Sequence, residues 1–150
     1  MNLYLAGPLF TQSERRWMRE LAQLLVGAGH GVFLPQDDAQ APLLRDPPDF
    51  HGAFDLCRDA VDRSDALVAV LDGPDTDSGT AWECGYAYAR LKPIVAVRTD
   101  FRGGEDSGLN LMLRRSVDAL IELPGTDEDL PALVAAISLE LDKLSAQHEP

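Results

Sequence analysis

Ala66-Leu67-Val68-Ala69-Val70-Leu71 and the stretch Asp77-Ser78-Gly79-Thr80-Ala81-Trp82-Glu83-Cys84-Gly85-Tyr86-Ala87 decide how this chain reads. The first is a short, uncharged apolar run, the pattern of a strand covered on both faces. The second opens a helix. Asp77 or Ser78 can cap it, because a side-chain oxygen there accepts a backbone N–H that the first turn leaves without a partner. Gly79 removes a side chain at that turn, so a ligand can approach the backbone. Glu83 follows Gly79 by four positions and Thr80 by three, which places all three on one helical face. A carboxylate is thus aimed at the gap left by a glycine, beside the C-terminal end of a strand.

Strand-then-helix repeats outward from this point. Leu3 to Ala6 predicts strand one, ending at Gly7-Pro8. Gln12 to Ala28 carries Trp17, Leu21, Leu24 and Leu25 at helical spacing. Gly29-His30-Gly31 turns into strand two, Val32 to Leu34, which stops at Pro35. Residues 36–49 are polar and proline-rich and predict a long loop. Residues 50–64 predict a helix with Phe50, Phe54, Cys57 and Val61 on one face. Strand three is Ala66 to Leu71 and strand four Ile94 to Val97, after Lys92-Pro93. A second polar loop, Thr99 to Gly108, precedes a short helix near Leu109 to Arg115. A strand near Ala119 to Leu123 follows, then a helix from about Glu128 to Leu144. The alternation predicts a single-domain α/β fold over residues 1–150, a flavodoxin-like doubly wound sheet. Its five mainly parallel strands take the order 2-1-3-4-5. In such a sheet ligands bind beyond the carboxyl ends, where the strand order reverses. That crevice lies between strands one and three, walled by Gly7-Pro8-Leu9-Phe10 and by residues 72–83.

Composition narrows the partners. The 150 residues are 45% hydrophobic and carry a formal net charge of −12. The length suits one compact domain with a real core. The acidic balance argues against nucleic acid or an anionic membrane as partner. No apolar run approaches the roughly 20 residues of a membrane span. Met1-Asn2-Leu3-Tyr4 leads directly into a strand, so no signal peptide is expected and the protein is expected to be cytoplasmic. Cys57 and Cys84 have no metal-ligand spacing and read as small buried residues. His30, His51 and His148 are scattered, and no metal site is expected. The crevice has no glycine-rich phosphate loop. It reads as acidic, with Asp72, Asp75, Asp77 and Glu83 close together. Such a cluster suits metal binding, general acid–base chemistry or a carboxylate nucleophile. It favours a neutral polar ligand, such as a nucleoside, over a phosphorylated one. Asp72 and Asp75 also read as turn formers beside Gly73 and Pro74, Trp17 as core, and Arg114-Arg115 as a solvated helix end.

The chain resembles the nucleoside 2-deoxyribosyltransferases. The resemblance rests on Tyr4-Leu5-Ala6-Gly7-Pro8-Leu9-Phe10, Leu34-Pro35-Gln36, Ser64-Asp65-Ala66-Leu67-Val68, Asp77 to Thr80 with Glu83 to Ala87, and Asn110-Leu111-Met112. In order and at suitable spacing, these make a strong signal. The resemblance implies transfer of 2-deoxyribose between nucleobases, or to water, without a cofactor. It implies deoxynucleosides and free nucleobases as partners. By it, Glu83 is the nucleophile of a covalent deoxyribosyl intermediate, Tyr4 orients Glu83, and Asp77 binds the sugar hydroxyls. Asn110 helps bind the sugar of a neighbouring subunit, which implies a homodimer or larger assembly with shared sites. Phe10 and Gln36 line the base pocket, and the Gln36 amide can meet donors or acceptors. Gly7, Gly79 and Met112 are assigned with them to substrate binding.

The chain departs from the family pattern in two places. An aspartate that assists proton transfer in some members falls on Cys57 here. Its neighbours Asp55 and Asp59 share a helical face and are the candidates for that role. The tail His148-Glu149-Pro150 does not match the members that place a C-terminal carboxylate in the site. A hydrolase of the same fold, acting on a deoxynucleoside or deoxynucleotide, and a nucleoside-binding module without turnover are the competing readings. The Tyr4–Glu83 pair weighs against the binder.

Overall fold

In the computed structural model, residues 1–100, 108–123 and 130–147 are described. They form a five-stranded sheet in the order β2-β1-β3-β4-β5. The strands are β1 (Asn2–Ala6), β2 (Gly31–Phe33), β3 (Ala66–Val70), β4 (Ile94–Arg98) and β5 (Ala119–Glu122). Every pairing is parallel, with Leu3 opposite Ala66, Val68 opposite Val95 and Ala96 opposite Leu120. The order and direction are those expected. Every residue of β3 and β4 is buried, because helices cover both faces of the sheet.

Successive strand residues point to opposite faces. Leu3, Leu5, Val68, Val70, Val95 and Val97 face α1 (Gln12–Gly27) and α6 (Leu130–Gln147), meeting Leu21, Leu25, Ile137 and Leu141. Tyr4, Ala6, Leu67, Ala69, Ile94 and Ala96 face α3 (Phe50–Arg63) and α4 (Ser78–Ala89), meeting Val61, Cys84 and Ala87. Small residues on both sides let α4 lie close to the sheet. A capping box starts α1. Thr11 Oγ1 accepts from the Glu14 N–H, and Glu14 Oε2 accepts from the Thr11 N–H at 2.7 Å, a device worth about 1 kcal/mol.

The predicted loop over residues 36–49 is partly ordered into two single turns. Pro35–Asp38 forms α2, and Ala41–Leu44 forms a 3-10 turn. Pro35 stands at the start of α2, where its missing N–H costs nothing, and Asp38 accepts from the Leu34 N–H at 2.7 Å. Asp49 then caps α3 by accepting from the Gly52 N–H at 2.8 Å. The predicted short helix begins two residues later than expected, as α5 (Leu111–Ser116), because Asn110 caps it. Most of the predicted loop Thr99 to Gly108, the start of the last helix at Glu128 and the tail residues 148–150 lie outside the described residues. No helix among the described residues is long and apolar enough to cross a membrane.

Candidate active site

Tyr4 and Glu83 come together at the switch point. Tyr4 leaves β1 on the α3/α4 side, fully buried, with its ring stacked on Phe33 of β2 at 5.5 Å between centroids. Its hydroxyl donates to Glu83 Oε1 at 2.5 Å. Glu83 Oε2 has no partner among the described residues. Burial pushes the Glu83 carboxyl up to about 7, the Tyr4 hydrogen bond pulls it down, and the Asp77 charge raises it. Burial and the neighbouring carboxylate hold the Tyr4 hydroxyl firmly protonated. The Cys57 thiol lies near that hydroxyl, and burial raises it too.

Asp77 caps α4. Its Oδ2 accepts from the Thr80 N–H at 2.9 Å and from Thr80 Oγ1 at 3.1 Å. A Cβ on Gly79 would meet the same oxygen at 3.1 Å. The glycine therefore makes room for the cap as well as for a ligand.

Beside this pair opens a cavity of about 520 Å³, within the range of small-molecule sites. Glu83, Gly79 and Trp82 come from α4, Phe50, Phe54 and Cys57 from α3, Pro35 and Gln36 from α2, and Leu9 and Arg15 from the β1–α1 region. Phe54 meets Trp82 edge-on at 5.4 Å, and Trp82 stacks on Tyr86 at 5.2 Å. Gln36 is only 2% exposed. Its Nε2 donates to the Arg15 carbonyl at 2.8 Å, and its own carbonyl accepts from Gln40 Nε2. Its Oε1 is buried without a partner among the described residues. One N–H of the amide is thus committed, while the oxygen and the second N–H remain for a ligand, one acceptor and one donor.

The predicted acidic crevice is dispersed. Asp72 turns to the end of β4, accepting from the Thr99 N–H at 2.6 Å and from Thr99 Oγ1 at 2.5 Å. Asp75 borders a different cavity, of about 450 Å³, between α4 and α5. The larger cavity has one carboxylate on its described wall, Glu83, and one guanidinium, Arg15.

The remaining predicted residues fall elsewhere. Asn110 caps α5, accepting from the Met112 N–H at 2.9 Å, and both line the smaller cavity. Phe10 is 74% exposed and off the described wall. Its N–H donates to Glu14 Oε2 at 3.1 Å. A Cβ on Gly7 would strike Met18 Cε at 2.6 Å, so this glycine serves the close packing of the β1 loop on α1. Arg58 clasps Asp55 at 2.8 Å and Asp59 at 2.6 Å, and neither acid lines the cavity. Cys57, between them, does. Sequence reasoning missed Arg15, Trp82 and Phe54 as wall residues. Trp82 beside Glu83 was the available signal. Arg15 had none, because its place on the wall depends on how α1 packs against α2. Among the described residues, no group of three or more His, Cys, Asp or Glu could hold a metal ion.

Comparison with known proteins points to one family. A family model described as nucleoside 2-deoxyribosyltransferase matches residues 3–113. A nucleoside deoxyribosyltransferase of Limosilactobacillus fermentum is 31% identical over 132 residues, 81% of this chain and 79% of that protein. A conserved protein from Enterococcus faecalis V583 superposes with TM-score 0.74 and 27% identity, over 93% of this chain and 98% of the other. A 2-deoxyribosyltransferase from Bacillus psychrosaccharolyticus superposes with TM-score 0.70 and 27% identity, over 89% and 90%.

Proposed function

The chain belongs to the nucleoside 2-deoxyribosyltransferase family, and from that premise we propose that it transfers 2-deoxyribose between nucleobases through a covalent intermediate on Glu83. The observation that carries this reading is the Tyr4 hydroxyl donating at 2.5 Å to Glu83 Oε1, beside a cavity of nucleoside size. The bond orients the carboxylate and leaves Oε2 available to attack the anomeric carbon. Displacement of the first base inverts that carbon, and a second base attacking the opposite face inverts it again. A buried carboxylate with a raised pKa is a stronger nucleophile than a solvated one, and it opposes the positive charge that develops on the sugar. Lack of a 2-hydroxyl makes that charge easier to reach, so deoxyribosides are the substrates.

Asn110 belongs to this reading through a second copy of the chain. It lines the cavity between α4 and α5, while Glu83 faces the one walled by α2 and α3. Tyr88 and Met112, which line the same cavity, are exposed, as is Leu111 next in sequence, apolar surface that a two-fold partner would cover.

Incubation of the protein with a 2′-deoxynucleoside, with and without a free second base, tests the function. A new nucleoside is the expected product. Free base alone means hydrolysis, and an unchanged substrate would refute turnover altogether.

A further inference from the structure

Two features of the larger cavity are not used by the chemistry above. The first is Arg15. Its Nη1 lies 3.4 Å from the carbonyl oxygen of Leu9, another wall residue. Arg15 forms no ion pair among the described residues. Asp37 feels its charge, yet Arg19 holds Asp37 with two bonds of 2.9 and 2.6 Å. That pair neutralises itself and leaves the Arg15 charge on the wall. The second feature is Gln36 Oε1, buried and without a partner among the described residues. Its amide cannot flip without losing the bond from Nε2 to the Arg15 carbonyl. The two residues are therefore tied through the Arg15 backbone carbonyl, and both line the cavity, one bringing a cationic donor and the other a neutral acceptor.

An exocyclic carbonyl beside a ring N–H complements that pair. The oxygen accepts from the guanidinium, and the N–H donates to Oε1. Uracil, thymine, hypoxanthine and guanine carry such an edge. The amino–imine edge of cytosine or adenine offers the same number of donors and acceptors, so hydrogen bonds alone do not choose between them. Charge does. When Glu83 bonds to the anomeric carbon and the carbon–nitrogen bond breaks, the electron pair stays on the base. In an oxo base that pair spreads onto the carbonyl oxygen, and the released base takes its proton from water. An amino base leaves most readily after protonation on a ring nitrogen, which a fixed cation nearby opposes. We propose that Arg15 and Gln36 form a recognition pair for bases with an oxo–amide edge, and that Arg15 stabilises the negative charge on the departing base. This rests on the deoxyribosyl-transfer reading of the same site.

The test uses matched substrates, 2′-deoxyuridine against 2′-deoxycytidine and 2′-deoxyinosine against 2′-deoxyadenosine. kcat/KM is measured for wild type, Arg15→Ala and Arg15→Lys, with calorimetric Kd values for the four free bases. Wild type should favour the oxo member of each pair. Arg15→Ala should lose about 10- to 100-fold on oxo substrates, as expected for a charge-assisted hydrogen bond, and at most about threefold on amino ones. Arg15→Lys should recover part of the loss. Equal losses within each pair, or an amino preference in wild type, would overturn the recognition pair alone. An oxo preference in Kd that disappears in Arg15→Ala, without turnover of any nucleoside, would overturn the transfer reading and keep the pair.

Discussion

The two faces of the sheet are built from different side chains. Toward α1 and α6 the strands present Leu and Val, which meet Leu, Met and Ile in close apolar packing. Toward α3 and α4 they present Ala6, Ala69 and Ala96 interleaved with Tyr4, Leu67 and Ile94, and the opposing helix offers Cys84 and Ala87. The first face gains stability from large buried side chains. The second keeps a helix close enough for Glu83 to reach the Tyr4 hydroxyl, and it accepts a half-buried carboxylate whose ionised form is poorly solvated. Both sides of the five-stranded layer thus carry a packed core, and the Tyr4–Glu83 pair sits on one of them.

Substitutions that separate the faces sharpen this contrast. The largest effect on activity is expected at Glu83. Glu83→Ala should reduce turnover by about three orders of magnitude or more, as loss of a covalent nucleophile does. Retention of a tenth of wild-type activity would dismiss it as nucleophile. On the opposite face, Leu21→Ala should cost about 2–5 kcal/mol in denaturant unfolding, with kcat of the folded fraction unchanged. A large kcat defect there would mean that the faces are not independent.

pH acts on the chemistry through the α4 face. The Glu83 carboxyl is held near 7 rather than at its ordinary value of 4.5. kcat/KM should therefore rise with pH through about 7 as the nucleophile ionises. Tyr4→Phe removes the hydrogen bond that lowers this value. Its activity limb should move to higher pH, with a rate loss of about 10-fold at pH 7. An unmoved limb would break the link between Tyr4 and Glu83. The same shift affects folding. With a raised folded-state value, the stability tied to the protonated carboxyl is fully present below 4.5 and is lost as pH rises through about 7. Glu83→Gln should remove that decline, so urea unfolding at pH 8 should find it at least as stable as wild type. A variant less stable at pH 8 would contradict the assigned burial cost.

The smallest effect is expected at Asp55 and Asp59. Both are clasped by Arg58 at the surface, where ion pairs contribute little. Asp55→Asn and Asp59→Asn should each leave kcat within about threefold. A hundredfold loss in either would restore it as the proton donor to the base.

Much of this molecule was legible in local pattern. Apolar runs bounded by Gly, Pro and Asp marked the strands, and the strand–helix alternation dictated a parallel sheet, since parallel neighbours need crossovers. Glu83 could be singled out because Gly79, Thr80 and Glu83 obey helical spacing within a few residues. The motif that brings Tyr4 to notice is likewise local. Other features depend on packing between distant segments. The acidic cluster looked coherent along the chain, yet Asp72 turns to Thr99 and Asp75 to the α5 side. In a turn, side-chain direction follows the nearest available donor, not sequence proximity. The ordering of Pro35–Asp38 over α1 brings the Gln36 amide to the Arg15 carbonyl. Only this contact between segments puts the Gln36 amide on the cavity wall beside the residue that carries its guanidinium. The sequence by itself determined the five strands and the long helices, because those choices are made within a few neighbours. Tertiary structure decided which charges face the cavity, because burial and hydrogen-bond partners exist only once the layers close.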